Sequence, residues 1–191
     1  MILVAGLGNP GPRYAETRHN AGFLVVDRLA ARAGGALFRE KFHGSFATAT
    51  VDGTAFGLLK PLTFMNESGR SVQAAVQLYK VPLASLFVVH DELDLPFGDL
   101  RLKQGGGDGG HRGLRSITGC IGAEYVRLRF GIGRPPPDFR GDPADFVLQG
   151  FSLAERTDLD QLIDRAADAL VLAATRGISV AMNATNQRKP R

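Results

Sequence analysis

Apolar positions along the chain follow two rhythms. Short β-type runs occur at 2–7, 45–51, 54–59, 86–90, 99–103 and 126–132, each of strand length. Between them apolar residues recur every three or four positions, the spacing of one helical face. Phe23, Val26, Ala30 and Ala33 predict a helix over about 21–33 with Asn20 as its N-cap. Val72, Ala75, Val76 and Tyr79 predict a second helix, opening at Asn66 or Ser68 and reaching about Tyr79. A third starts from a capping box, Ser152-Leu153-Ala154-Glu155, and buries Leu159, Leu162, Ile163, Ala166 and Leu170.

Strands alternating with helices predict an α/β fold: a twisted, mixed, mostly parallel central sheet surrounded by helices. The mixing comes from the runs 45–51 and 54–59, which meet across Asp52-Gly53 as an antiparallel hairpin. Two segments break the pattern. Gly105 to Gly110 is too rich in glycine for an element and reads as a flexible loop. Pro135-Pro136-Pro137 through Pro143 reads as an extended surface connection. Neither separates two cores, so a single domain is expected over 1–185, with 186–191 a basic, frayed tail.

Composition narrows the class. A chain of 191 residues, 44% hydrophobic and 22% charged, is long enough to bury one core as a soluble domain. One cysteine, Cys120, excludes an internal disulfide framework and a thiolate metal centre, and fits a reducing, cytoplasmic setting. No signal-peptide pattern precedes the first strand, and no apolar run approaches the roughly 20 residues that span a bilayer. The net charge of +4 permits an anionic partner without locating it.

The first strand runs into Gly6-Leu7-Gly8-Asn9-Pro10-Gly11, which spells the G-x-G-x-x-G of dinucleotide sites. That chemistry needs a helix starting inside the glycines and an acid ending a second strand about 20 residues on. Here Pro10 and Pro12 block an immediate helix, and Asp27 lies inside the predicted helix 21–33. The dinucleotide reading fails on context.

What remains at this strand end is polar. Asn9 lies at the carboxyl edge of the sheet, where open α/β sheets bind ligands. The run Leu86-Phe87-Val88-Val89 ends in His90-Asp91-Glu92, so a parallel arrangement brings Asp91 to the same rim. His19 directly precedes a helix start, where the positive helix end favours the neutral ring. A carboxylate on its other ring nitrogen would fix the tautomer, which makes His19 and Asp91 a plausible general-base pair. Asn66 is a second amide near a helix start. The four histidines (His19, His43, His90, His111) lack metal-site spacing, and no nucleophile motif occurs, leaving water activation as the supported chemistry.

Four stretches carry a wider likeness. "GLGNPGPRYAETRHNAGF", "KPLTFMNESG", "HDELDLPFGDLRLKQGGGDGGHRGL" and "RLRFGIGRP" resemble, in order and over about residues 1–185, the bacterial-type peptidyl-tRNA hydrolases. The resemblance implies a cytoplasmic monomer without metal or cofactor, acting at no membrane. Its substrate would be peptidyl-tRNA, bound through the acceptor stem and 3′ end and hydrolysed at the ester to the ribose so that the tRNA is reused in translation. By the same resemblance His19 is the catalytic base and Asp91 its partner. Asn9, Tyr14, Met65 and Asn66 contact substrate, His111 is a further cleft residue, and Lys103 with Arg129 grips a tRNA phosphate.

Two positions depart from the family pattern. Arg112 stands where the family usually has Asn, and Asp108 where it often has His. Arginine has no acceptor and a permanent charge, so it does not replace an amide. It either pairs with Asp108 or faces solvent, or else it touches the tRNA backbone or restrains the glycine loop. An RNA-binding protein that has given up catalysis is the competing function, suggested by Arg112 alone.

Overall fold

A computed structural model of the chain describes residues 1–187. Its strands are β1 (Ile2–Gly6), β2 (Arg39–Lys41), β3 (Gly44–Val51), β4 (Thr54–Pro61), β5 (Leu86–Glu92), β6 (Leu100–Gln104) and β7 (Val126–Gly131). They form one sheet in the order β2-β3-β4-β1-β5-β7-β6. The central strands β4, β1, β5 and β7 are parallel to one another. Antiparallel neighbours complete both flanks. The mixed sheet is thus the expected one, with the predicted hairpin pairing Val51 with Thr54 at its turn.

The helices are α1 (Ala21–Arg32), α2 (Ser68–Tyr79), α3 (Arg112–Ile121), α4 (Pro143–Val147), α5 (Leu153–Arg176) and α6 (Ile178–Thr185). Alternate strand residues feed two apolar clusters, because successive side chains point to opposite faces. Val4, Leu58, Phe87, Val89 and Leu128 pack against Val25, Val26 and Leu29 of α1 and against Leu162, Ala166 and Leu170 of α5. Leu3, Ala5, Leu59 and Val88 pack on the other face against Val72 and Ala75 of α2 and Leu114 and Ile117 of α3. Burial of each large side chain contributes roughly 1.5–3 kcal/mol, so both helical layers are firmly held. Among the described residues no helix is long and apolar enough to cross a membrane.

Several details differ from the sequence prediction. The buried stripe of α1 is Ala21, Gly22, Val25, Val26, Leu29 and Ala30, which leaves Phe23 and Ala33 half-buried. In α2 small residues take the close positions: Ser68, Gly69, Ser71, Val72 and Ala75 are buried, while Val76 and Tyr79 are half-buried. Strand β5 runs two residues further than the apolar run, so Asp91 lies within it. The proline segment ends earlier than expected, since Pro143 is the first residue of α4 behind the Asp142 capping box. Helices α3, α4 and α6 and the short edge strand β2 were not legible in the periodicity.

The tail also needs correction at its first residue. Asn186 is fixed to the sheet: its Oδ1 accepts from the Leu102 N–H at 2.8 Å and its Nδ2 donates to the Leu102 carbonyl at 2.9 Å. The remainder of the predicted frayed tail, from residue 188 on, lies outside the described residues.

The glycines after β1 have their own structural explanation. A methyl group on Gly6 would lie 2.2 Å from the Gly22 carbonyl oxygen, and one on Gly22 would lie 2.2 Å from the Leu7 nitrogen. This pair therefore lets α1 cross directly over the end of β1. Helix α1 begins well beyond Gly11, and Asp27 is on its outer surface paired with Lys60. The motif serves packing and a turn.

Candidate active site

The loop from Leu7 to Asn20 is held by one side chain. Asn20 accepts at Oδ1 from the Asn9 N–H and donates through Nδ2 to the Asn9 carbonyl, both at 2.9 Å. It makes no side-chain cap on α1, contrary to expectation. A single turn of 3₁₀ helix, Arg18–Asn20, feeds α1 instead and aims Asn20 back into the loop. The Asn9 side chain is oriented in turn, because its Oδ1 accepts from the Met65 N–H at 2.9 Å. That bond turns the oxygen toward the Met65 backbone and leaves Nδ2 as the group offered to the cleft.

Parallel pairing of β1 with β5 brings Asp91 to the rim beside this loop. Asp91 is 3% exposed and takes two imidazole donors. His19 Nδ1 lies 2.9 Å from both carboxylate oxygens, and His111 Nε2 lies 2.9 Å from Oδ1. A carboxylate only accepts, so both nitrogens carry protons. The His111 tautomer is set independently, since its Nδ1 accepts from the backbone N–H groups of Gly113 and Leu114 and so caps α3. With Nδ1 committed to Asp91, the neutral ring of His19 carries its free lone pair on Nε2, toward the cleft.

Electrostatics follow from these contacts. Burial opposes charge on His19 and is the largest single influence, but the Asp91 charge and hydrogen bond together outweigh it. The His19 pKa is therefore raised above its ordinary 6.5, with Arg112 pulling the other way. The sequence argument from the helix end predicted the opposite balance; a carboxylate in contact exceeds a helix dipole. Burial would raise the Asp91 carboxyl, yet His19 and His111 hold it well below the usual carboxylate range. His90, buried behind them with its Nδ1 on the Asp91 carbonyl, is pushed down to about 3 chiefly by burial and stays neutral. Ligand atoms of His19, Asp91 and His111 lie within 4.8 Å of one another, a closeness that sequence spacing did not reveal. In the folded chain the facing nitrogens spend their protons on Asp91 and form a hydrogen-bonded triad.

The triad opens into a cleft of about 610 Å³. Of the residues singled out from sequence, Asn9, His19, Met65, Asn66, Asp91 and His111 line it together. Tyr14 does not: it is half-buried in the loop, with Arg13 5.5 Å above its ring. Lys103 and Arg129 also lie outside the cleft. The register of β6 on β7 sets Arg101 opposite Arg129 and Lys103 opposite Arg127, so all four cations share one face. Lys103 is exposed there, whereas the Arg129 guanidinium is occupied by Glu92 at 3.1 Å. Residues missed from sequence are Phe64, Leu93, Val147 and Leu148, which give the cleft apolar walls, and Asn20. Alternation places Leu93 and Phe64 next to chemistry-bearing residues, a weak signal; Val147 and Leu148 left none.

The glycine loop 105–110 lacks regular structure, as expected, but is not free. Arg127, 3% exposed, donates to the carbonyls of Gly106 and Gly107 and lies 4.8 Å over the Tyr125 ring. Gly109 and Gly110 are thereby presented to the cleft.

Comparison with known proteins identifies the family of the whole chain. The family model described as peptidyl-tRNA hydrolase matches residues 3–191. A peptidyl-tRNA hydrolase of Sorangium cellulosum is 52% identical over 189 residues, covering 98% of this chain and 85% of the relative. One from Frankia casuarinae is 53% identical over 182 residues, covering 95% and 91%. The crystal structure of peptidyl-tRNA hydrolase from Acinetobacter baumannii superposes with a TM-score of 0.91 at 40% identity, covering all of this chain and 97% of that one. Match in sequence over nearly the full length, and in fold over the whole chain, leads to one conclusion: the chain belongs to the peptidyl-tRNA hydrolase family, a family of hydrolases.

Proposed function

We propose that the chain hydrolyses the ester between a peptide, or an N-blocked amino acid, and the 3′ ribose of tRNA, with water activated by His19. One observation carries this reading: His19 gives Nδ1–H to a buried carboxylate and faces the cleft with a basic Nε2. Nε2 takes a proton from water as the water attacks the ester carbonyl, and Asp91 balances the imidazolium that forms. With its oxygen turned to the Met65 N–H, Asn9 presents Nδ2, a donor, which suits the carbonyl oxygen as that oxygen gains negative charge. Collapse of the tetrahedral species returns the His19 proton to the ribose oxygen, releasing tRNA and a carboxylic acid. An alkoxide leaving group makes an ester accessible to this machinery without a metal-bound water.

Asn66, exposed in the cleft and free to donate and accept, fits a peptide backbone amide and so favours a blocked over a free α-amine. Lys103 and Arg129 would contact a phosphate of the acceptor stem from the cationic face of β6 and β7, Arg129 exchanging Glu92 for the phosphate. Such binding weakens as salt rises. The test is release of N-acetyl-aminoacyl groups from tRNA by the wild type and by His19→Ala. Loss of roughly 10²–10⁴-fold in His19→Ala is expected for a missing general base. Full activity in that variant overturns the base assignment, and an inert wild type leaves the RNA-binding alternative.

A further inference from the structure

Charge in the cleft is almost completely paired. Its lining carries four carboxylates, Asp91, Glu92, Asp94 and Asp108. Asp91 is taken by His19 and His111, Glu92 by Arg129, Asp94 by Arg134 and Asp108 by Arg115. Among the described residues one lining cation has no carboxylate and no hydrogen-bond partner: Arg112. The pairing of Arg112 with Asp108 that the sequence allows is thus pre-empted by Arg115.

Its position is also unfavourable for the isolated protein. Arg112 is the first residue of α3, and the first turn of that helix holds no acid. A cation there faces the positive end of the helix, where anions are preferred. The side chain is exposed, so packing does not demand it. Local rules broken without compensation are expected where a ligand supplies what is missing. Helix end and guanidinium together make a positive focus beside the His19–Asp91 pair, close enough that Arg112 opposes protonation of His19.

The geometry points to Arg112 as the residue that binds the phosphodiester immediately preceding the terminal ribose of the RNA. This inference rests on the hydrolase reading above. The peptide carries no obligatory anion, whereas this phosphate is one ribose away from the ester and is the substrate's fixed negative charge nearest to the bond that breaks. A guanidinium fork matches its two non-bridging oxygens. Holding it would set the depth to which the 3′ end enters and so place the carbonyl between Asn9 and His19. The phosphate grip at Lys103 and Arg129 lies outside the cleft and would address a different part of the substrate.

The test uses N-acetyl-aminoacyl-tRNA in which the last internucleotide linkage is either the natural phosphodiester or a neutral methylphosphonate of equal length. The wild type should prefer the diester in kcat/KM by roughly ten- to a hundred-fold, the range of one charge-assisted contact. In Arg112→Ala that preference should fall to near one, with the methylphosphonate substrate cleaved as by the wild type. Arg112→Lys should keep part of it through charge without the fork. A wild type indifferent to the linkage overturns the inference, as does a preference that survives in Arg112→Ala. Equal loss on both substrates also overturns it, by placing Arg112 on the ester itself. If the wild type releases nothing from unmodified tRNA, the hydrolase reading falls first and takes this inference with it.

Discussion

Replacing Asn20 by alanine should damage both the fold and the chemistry, by amounts the contacts allow to be worked out. Asn20 is 1% exposed and Asn9 8%, so water does not replace what the substitution removes. Two hydrogen bonds disappear, and the N–H and carbonyl of Asn9 are left without partners. Each bond contributes roughly 0.5–1.5 kcal/mol net, and each orphaned buried group costs about 1–3 kcal/mol. These are two descriptions of the same loss and do not add, so ~2–4 kcal/mol is expected. For a chain of this length that lowers Tm by roughly 4–16 °C. With Asn9 no longer fixed, its Nδ2 shifts from the ester, and about 10²-fold in kcat/KM is at stake for a displacement near 1 Å.

Asn20→Asp separates the two bonds. It keeps an acceptor for the Asn9 N–H but sets a carboxylate oxygen against the Asn9 carbonyl. The introduced carboxyl is buried, so its folded pKa lies above its unfolded one and the protonated form stabilises the fold. The destabilisation should therefore be worst at neutral pH and shrink as pH falls through the raised pKa. Thermal unfolding at several pH values, with kcat/KM measured well below both transitions, reads all of this. A Tm of Asn20→Ala within a degree or two of wild type, with unaltered kcat/KM, would show that Asn20 is not the clamp of the loop.

Two further outcomes follow from the site. Because Asp91 raises His19 above 6.5, the acid limb of wild-type kcat/KM should lie above that pH; in Asp91→Asn, burial and Arg112 act unopposed, the limb should move below 6.5, and the plateau should drop roughly 10²–10⁴-fold. A limb that stays in place in the variant refutes the coupling. Arg127→Ala releases the Gly106 and Gly107 carbonyls, so limited proteolysis between Gly105 and Gly110 should accelerate relative to wild type, with Arg127→Lys in between; unchanged cleavage rates would mean the loop is held by something else.

Much of the scaffold was legible because burial leaves a period in the sequence. The central strands bury both faces and so read as unbroken apolar runs, while α1, α2 and α5 each bury one face over enough residues to write it plainly. Helix α3 did not announce itself, for its buried side is Gly113, Leu114 and Ile117 between arginines and glycines. His19, Asp91 and Asn9 could be named in advance because they end strands or precede helices at one rim. Their arrangement could not, since it depends on which donor meets which acceptor across separate elements. Asn20 shows the limit well: the same residue type at the same place predicts a cap, and only the intervening 3₁₀ turn redirects it into the loop. His111 was placed in the cleft but its bond to Asp91 needed the fold of the glycine segment.

The contact between Asn186 and Leu102 has a bearing on how the molecule behaves in company. Strand β6 is an edge of the sheet, and an edge presents unpaired backbone groups to any strand that drifts past. One amide side chain from beyond the last helix occupies the Leu102 pair, so a foreign strand finds the middle of that edge already taken. A chain shortened to end before Asn186 would keep its cleft and its core yet expose this seam, and self-association at high concentration would be the symptom.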